Sequence, residues 1–465
     1  MDTQQDFVRP TDYALPQVSA KQTLTPLDMN MPRLYGTRWI LCFPLNAAAD
    51  KVKIYADLRA GLAQTITRIP WISGNIRAEE DSPAEHQRIA VVDGNFGVLL
   101  KLNNLTAGQF PSYEKLKAAH FPLSQLSTAQ LSPLGVMPQG NSPPAMAAQA
   151  NFITGGLLLT VCAHHSACDA TGLNTVLQTW AQMTSSIGNS SSLSSIDPKI
   201  NNRERLIIGI SGATMDEFPE YVLAPAPSAA SLDMTSHQMA VTPFTLPDMT
   251  ARIFYFPPSS LRFLTAASYS TNDALHALFW RHITLARVAA GSIDDNTSTA
   301  LLYAGNMRFR ISPPLPHNYT GNASIGNITQ HMSAREMTAS GGLVATAAVI
   351  RSSVGKLNEP DRVARLIGLL SSRPNPTDFK FAYNGFLGPD LSSTSWAELD
   401  VLQMEWGSLG KVEAFRIPGE GADGSMIVLP RLKGGALEVV VALENRAMGI
   451  LMADEEFGKW AEVWA

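Results

Sequence analysis

At 465 residues, 16% of them charged and 45% apolar, the chain has a globular composition and exceeds the size of one ordinary core, which predicts more than one domain. A net charge of −5 with no basic stripe argues against nucleic acid as a partner, and the lack of a long apolar run argues against a membrane span. The start, Met1 to Asp6, lacks the features of a secretory signal, and Cys42, Cys162 and Cys168 form no C-x-x-C pair, so a cytoplasmic protein without a disulfide or zinc framework is expected.

After a Pro-containing lead-in, Leu58, Leu62, Ile66 and Ile69 fall at helical spacing, and Pro70 ends the helix they predict over Val52 to Ile69. Leu157 to Ala163 is an almost continuous apolar run after Gly155-Gly156, the pattern of a strand buried on both faces, and it leads directly into His164-His165. Beyond Gly172, the spacing of Leu173, Val176, Leu177 and Trp180 predicts a helix packed on one side, so the two histidines stand at a strand-to-helix junction. From Thr184 to about Pro247 the composition turns to Ser, Pro, Ala and Gly, with Ser190 to Ser192 and Ala224 to Pro227 as extremes and Leu206 to Ile210 as an apolar interruption. This reads as a crossover between domains.

A second helix begins at Ser270-Thr271-Asn272-Asp273, with the spacing of a capping box, and runs through Leu275, Leu278, Phe279 and Ile283. Gly424 to Leu429 and Leu437 to Leu443 read as two strands joined through Pro430 and Gly434-Gly435. Strands and helices mix in both halves without regular alternation, which favours an α+β class, and neither a dinucleotide fingerprint nor a P-loop is present.

The chemistry concentrates in Ala163 to Gly172. A neutral imidazole held at the end of a buried strand can take the proton of an alcohol as it attacks a carbonyl, and a thioester supplies that carbonyl with a good leaving group. Asp169, four residues past His165, either orients the imidazole or turns away to pair with an arginine; spacing leaves both open. A zinc site from Cys162, His164, His165, Cys168 and Asp169 is disfavoured because no distant second pair of ligands completes it, and no metal is expected.

Several further segments stand in order along the chain: Leu24-Thr25-Pro26-Leu27-Asp28, Pro70 to Gly74, Ser270 to Leu275, Asn306 to Arg310, Pro313 to Pro316, Tyr319 to Asn322 and Thr394-Ser395-Trp396. Together with H-H-x-x-x-D-x-x-G at His164 to Gly172, this series resembles the BAHD acyltransferases, particularly the fungal branch that includes trichothecene acetyltransferases. Glu405-Trp406-Gly407 with Leu409-Gly410-Lys411 stands where that family has D-F-G-W-G and departs from it.

The resemblance implies a chloramphenicol acetyltransferase-like fold: two similarly built domains of mixed sheet and helices, joined by a long crossover, with a channel at their interface. The corresponding division is 1–205, 206–250 and 251–465. It further implies His165 as general base and Asp169 as its loop partner, paired with Arg308 in the first instance and Arg310 in the second. CoA contacts are carried to Thr271, Thr394 and Ser395, and channel-lining positions to His164, Gly172 and Trp396. Lys411, Arg416, Arg431 and Lys433 are candidate charges for the nucleotide phosphates. The resemblance also implies acyl-CoA, acetyl by default, as a co-substrate rather than a bound cofactor, with a small alcohol as the acceptor, and it favours a monomer. A condensation domain normally has Gly directly after the Asp, where this chain has Ala170, and a non-catalytic binder has no need to retain His165 and Asp169.

Overall fold

Seven of the eight residues of Gly156–Ala163 are apolar or glycine, and all eight are buried. The strand pairs antiparallel with Met146–Ile153 on one side and Thr37–Pro44 on the other, so its hydrogen bonds are satisfied within a sheet whose faces are both covered. The turn into it places Gly155 at φ +78°, a conformation favouring a residue without Cβ. The computed structural model describes residues 3–11, 22–79, 87–90, 97–187, 197–224, 247–266, 270–419 and 421–465. Residues 12–21 of the lead-in, Ser190 to Ser192 and residues 225–246 of the crossover lie outside the described residues.

The first sheet has six strands in the order Thr3–Val8, Val98–Asn104, Met146–Ile153, Gly156–Ala163, Thr37–Pro44 and Ala414–Arg416. Helices Lys51–Arg68 and Ala170–Ser185 pack together. They meet at Gly61, where a Cβ would lie 2.3 Å from the Thr184 hydroxyl, and Trp180 donates its indole N–H to the Leu58 carbonyl at 2.8 Å. The second sheet has seven strands, ordered Ser324–Ile328, Leu301–Asn306, Leu391–Ser395, Ser425–Val428, Leu437–Glu444, Met249–Phe256 and Glu462–Val463. Helix Thr271–Ala290 packs against Gly342–Lys356 and Asn445–Ala453, and of the two hydrophobic clusters the first spans the first sheet together with Ala251, Ile253, Val440 and Ala442 of the second.

The architecture is α+β. Ala414–Arg416 belongs by sequence to the second half but pairs antiparallel with Thr37–Pro44, completing the first sheet. From there the buried Arg416 reaches back to Glu438 of the second sheet with two bonds of 2.7 and 2.9 Å. Arg416 is therefore not available to a phosphate: its guanidinium is a tie between the sheets. The rings of Trp39, Trp396 and Phe415 meet edge to face at the same junction.

Helix Thr271–Ala290 starts where the sequence places it, with the Ser270 hydroxyl accepting from the Asp273 N–H at 3.2 Å. The reciprocal half of a capping box is missing because the Asp273 carboxylate turns to Arg351 instead.

Candidate active site

The strand Gly156–Ala163 ends immediately before His164, and the following helix begins at Ala170 with Asp169 as its N-cap. Between them the loop is held by backbone bonds from His164 N to Ala145 O and from His165 N to Leu34 O. His165 is half-buried and opens onto a cavity of about 880 Å³. Its ring lies so close to Gly36 that a Cβ there would stand 2.9 Å from the imidazole Cδ2, which makes Gly36 part of the ring's fit.

Asp169 has no hydrogen bond to His165 among the described residues. Arg308 meets it with two bonds of 2.8 and 2.9 Å, and the Gly172 and Ala323 N–H groups, each at 2.9 Å, and the Ser324 hydroxyl at 3.1 Å complete the shell. Burial by itself raises the carboxyl pKa, but the Arg308 charge and these donors outweigh it and hold Asp169 below the ordinary carboxylate range. Arg308 also donates to the carbonyls of Tyr319 and Gly321. Arg310, the second candidate, is directed elsewhere, to Asn358 and the Asn306 carbonyl.

Thr394, Ser395 and Trp396 line the same cavity from the second sheet, facing it with Ser392, Ser425 and Ile427. Two expected wall residues are not on it. His164 is buried beside Tyr35, its Nδ1 accepting from the Ser166 N–H at 3.2 Å; desolvation and the neighbouring His165 and Arg33 pull its pKa down to about 4. Gly172 packs instead against the segment Tyr319 to Asn322: a Cβ there would lie 2.3 Å from the Thr320 carbonyl oxygen. The glycine serves the close approach of the two halves.

Thr271 lies in a second, more open cleft of about 610 Å³ with Arg262, Arg431 and Gly434-Gly435. Arg431 pairs at 3.1 Å with Glu398, itself a wall residue of the main cavity, so the two spaces adjoin. Lys411 pairs with Glu405 at the surface. Trp406 is fully buried against Trp180 and Phe43, so the element that departs from D-F-G-W-G packs the first core, and Glu405 and Trp406 are not among the residues lining the cavity.

Sequence reasoning did not find Asn174, Gln178 and Asp400, three cavity residues joined by amide-to-carboxylate bonds of 2.7 and 3.2 Å. Asn174 and Gln178 are one helical turn apart, which was a legible signal; their partner, more than 200 residues away, was not. The wall also includes the apolar side chains of Met31, Pro32, Phe309, Ile325 and Phe381, with the Phe381 ring seated where a Cβ on Gly326 would be. Cys42, Cys162 and Cys168 are free and buried, and among the described residues no three His, Cys, Asp or Glu side chains converge as metal ligands.

Two sheets meeting around a cavity, with a histidine loop anchored across the junction, define a two-part α+β architecture. Residues 34–183 match the family model described as the trichothecene 3-O-acetyltransferase-like N-terminal domain. An acyltransferase of Emericella nidulans is 28% identical over 463 residues, 94% of each chain, and an eremophilane O-acetyltransferase of Penicillium roqueforti is 26% identical, covering 96% of this chain and 99% of that one. The crystal structure of a Fusarium graminearum enzyme, TRI101, with coenzyme A and T-2 mycotoxin has the same fold: TM-score 0.82 at 22% identity, covering 96% of this chain and all of that chain. The chain is thus similar over most of its length to fungal acyltransferases, and over residues 34–183 to the trichothecene 3-O-acetyltransferase-like N-terminal domain.

Proposed function

We infer that the protein transfers an acyl group, acetyl by default, from acyl-CoA to a hydroxyl of a small apolar metabolite. The observation that carries this reading is the placement of His165 on a cavity that both sheets enclose, across from Thr394 to Trp396. His165 accepts the proton of the acceptor hydroxyl as its oxygen attacks the thioester carbonyl; the tetrahedral oxyanion collapses, the carbon–sulfur bond breaks, and the thiolate takes up the proton. No acyl-enzyme is needed. Asp169, held by Arg308, shapes the loop rather than exchanging protons.

The chemistry of the walls supports a direction. The cleft with Arg262, Arg431 and Thr271 suits the anionic nucleotide of CoA, and the polar group around Asp400 with Thr394 and Ser395 suits its amide-bearing arm. The apolar wall side chains, Phe309 and Phe381 among them, suit an uncharged acceptor such as a terpenoid, and the eremophilane-acetylating relative supports that class. The reading keeps the division at 205 and 251, amended by the return of Ala414–Arg416 to the first sheet. It also takes the protein as a cytosolic monomer, supported by three free thiols and by a cavity that one chain encloses.

The test is thiol release from a panel of acyl-CoAs in the presence of hydroxylated terpenoids, comparing wild type with His165→Ala. Acceptor-dependent release that the variant loses supports the reading. No release with any donor, together with no CoA binding by calorimetry, sinks it.

A further inference from the structure

Two sequence segments, Leu24 to Asp28 and Tyr319 to Asn322, have no part in the chemistry above, and the fold brings them together behind His165. Asp28 is completely buried. One of its oxygens accepts from Arg203 at 2.6 Å and from the Thr25 N–H at 2.9 Å; the other accepts from the Asn322 backbone N–H at 3.1 Å and its side-chain amide at 2.9 Å. Arg203, also buried, donates in turn to the Ala167 carbonyl at 2.6 Å, and the Asn322 amide donates to the His165 carbonyl at 2.8 Å.

From this geometry we propose that Asp28, Arg203 and Asn322 are positioning residues, a second buried ion pair that fixes the carbonyls of His165 and Ala167 and so sets the direction of the imidazole. The proposal rests on the acyl-transfer reading and deepens it.

The Asn322 side-chain nitrogen faces two acceptors, the Asp28 carboxylate and the His165 carbonyl, so the amide orientation is determined: the flipped form would set oxygen against oxygen twice. Consecutive backbone N–H groups then serve opposite clamps, Asn322 bonding Asp28 and Ala323 bonding Asp169. Gly321 lies between the two: a Cβ there would stand 2.7 Å from the Arg203 guanidinium and 2.4 Å from the Tyr319 phenol oxygen. The loop from His165 to Asp169 is thus gripped at its carbonyls by one pair and at its carboxylate by the other. Three separated chain segments supply the first grip, which a loop needing only to be folded does not require. A reacting group displaced by about 1 Å loses on the order of 10²-fold in rate, which is the scale of effect such a clamp protects.

The experiment compares wild type with Asn322→Ala, which leaves Asp28 paired with Arg203, using acetyl-CoA and an acceptor the wild type turns over. The expected result is a fall in kcat of about 10²-fold with KM for acetyl-CoA, CoA affinity by calorimetry and circular dichroism unchanged. In a His165→Ala background the same substitution should cause no further loss, because its action runs through the imidazole. Equal kcat in the variant overturns the proposal, as does an equal further loss in the His165→Ala background or a loss that merely tracks the unfolded fraction. If the alanine variant does not fold, Asn322→Ser carries the same readings, its hydroxyl able to donate to one of the two acceptors at a time. Failure of wild type to bind CoA would instead remove the acyl-transfer reading beneath the proposal.

Discussion

The loop that carries His165 and the cleft that holds Thr271 and Arg431 are built on opposite principles. In the first, Asp169 is buried and accepts from two guanidinium nitrogens, two backbone N–H groups and a hydroxyl, and its arginine is equally enclosed. In the second, Arg431 holds Glu398 in an ion pair whose carboxylate side chain is 86% exposed. A buried charge must have every partner in place, and the result is a rigid loop; a solvated pair is worth about 0–1 kcal/mol and exchanges partners easily. Rigidity thus sits at the histidine loop, and looseness at the cleft to which the proposed function assigns the anionic nucleotide.

The comparison is broken most forcefully at the imidazole. His165→Ala should lower kcat by about 10²–10⁴-fold while circular dichroism and CoA affinity hold, since a general base contributes on that order and no buried partner is stranded by its loss. A variant that unfolds instead would make the ring a structural element. At the anchoring pair the balance reverses: Asp169→Ala or Arg308→Ala should cost about 3–5 kcal/mol in denaturant unfolding, because the remaining charge is left buried, and the double variant should cost less than the sum. Additive losses would mean the two side chains do not stabilise each other.

Acid sharpens the same contrast. His164 accepts a backbone N–H and stays neutral when folded, with its pKa pulled down to about 4, whereas the unfolded chain takes a proton near 6.5. Its contribution is therefore complete above about pH 6.5 and is lost as pH falls toward the folded value, by up to about 1.4 kcal/mol per pH unit. His164→Asn should flatten that part of the stability–pH curve. Asp169, depressed by Arg308, acts further down: its stabilisation persists above the unfolded carboxylate value of about 3.9 and disappears as pH falls through the lower folded one. The smallest effect belongs to the open cleft, where Arg431→Ala should leave unfolding unchanged and raise KM for acyl-CoA by roughly fivefold, an exposed charge being worth about 1 kcal/mol, with the difference shrinking at high salt. An unchanged KM would move the nucleotide elsewhere.

Much of the chemistry was legible before any coordinates. The continuous apolar run into His164-His165 marked a buried strand ending just before the two histidines, and the helix-starting residues Ser270 to Asp273 marked the helix Thr271–Ala290, because burial and capping are written locally in residue type. Local pattern also misled: His164 lies off the cavity because adjacent residues at a strand end turn to different surroundings, and Gly172, in the helix that follows, because it packs against Thr320.

The sequence by itself determined the α+β class and the strand-to-helix junction that holds His165. Only the tertiary structure decided which arginine meets Asp169, that Arg416 ties one sheet to the other, and that Asp28 and Asn322 converge on the His165 carbonyl. These contacts join residues more than 100 positions apart in most cases, and a buried charge selects its partner by geometry across the assembled core, which no local spacing records.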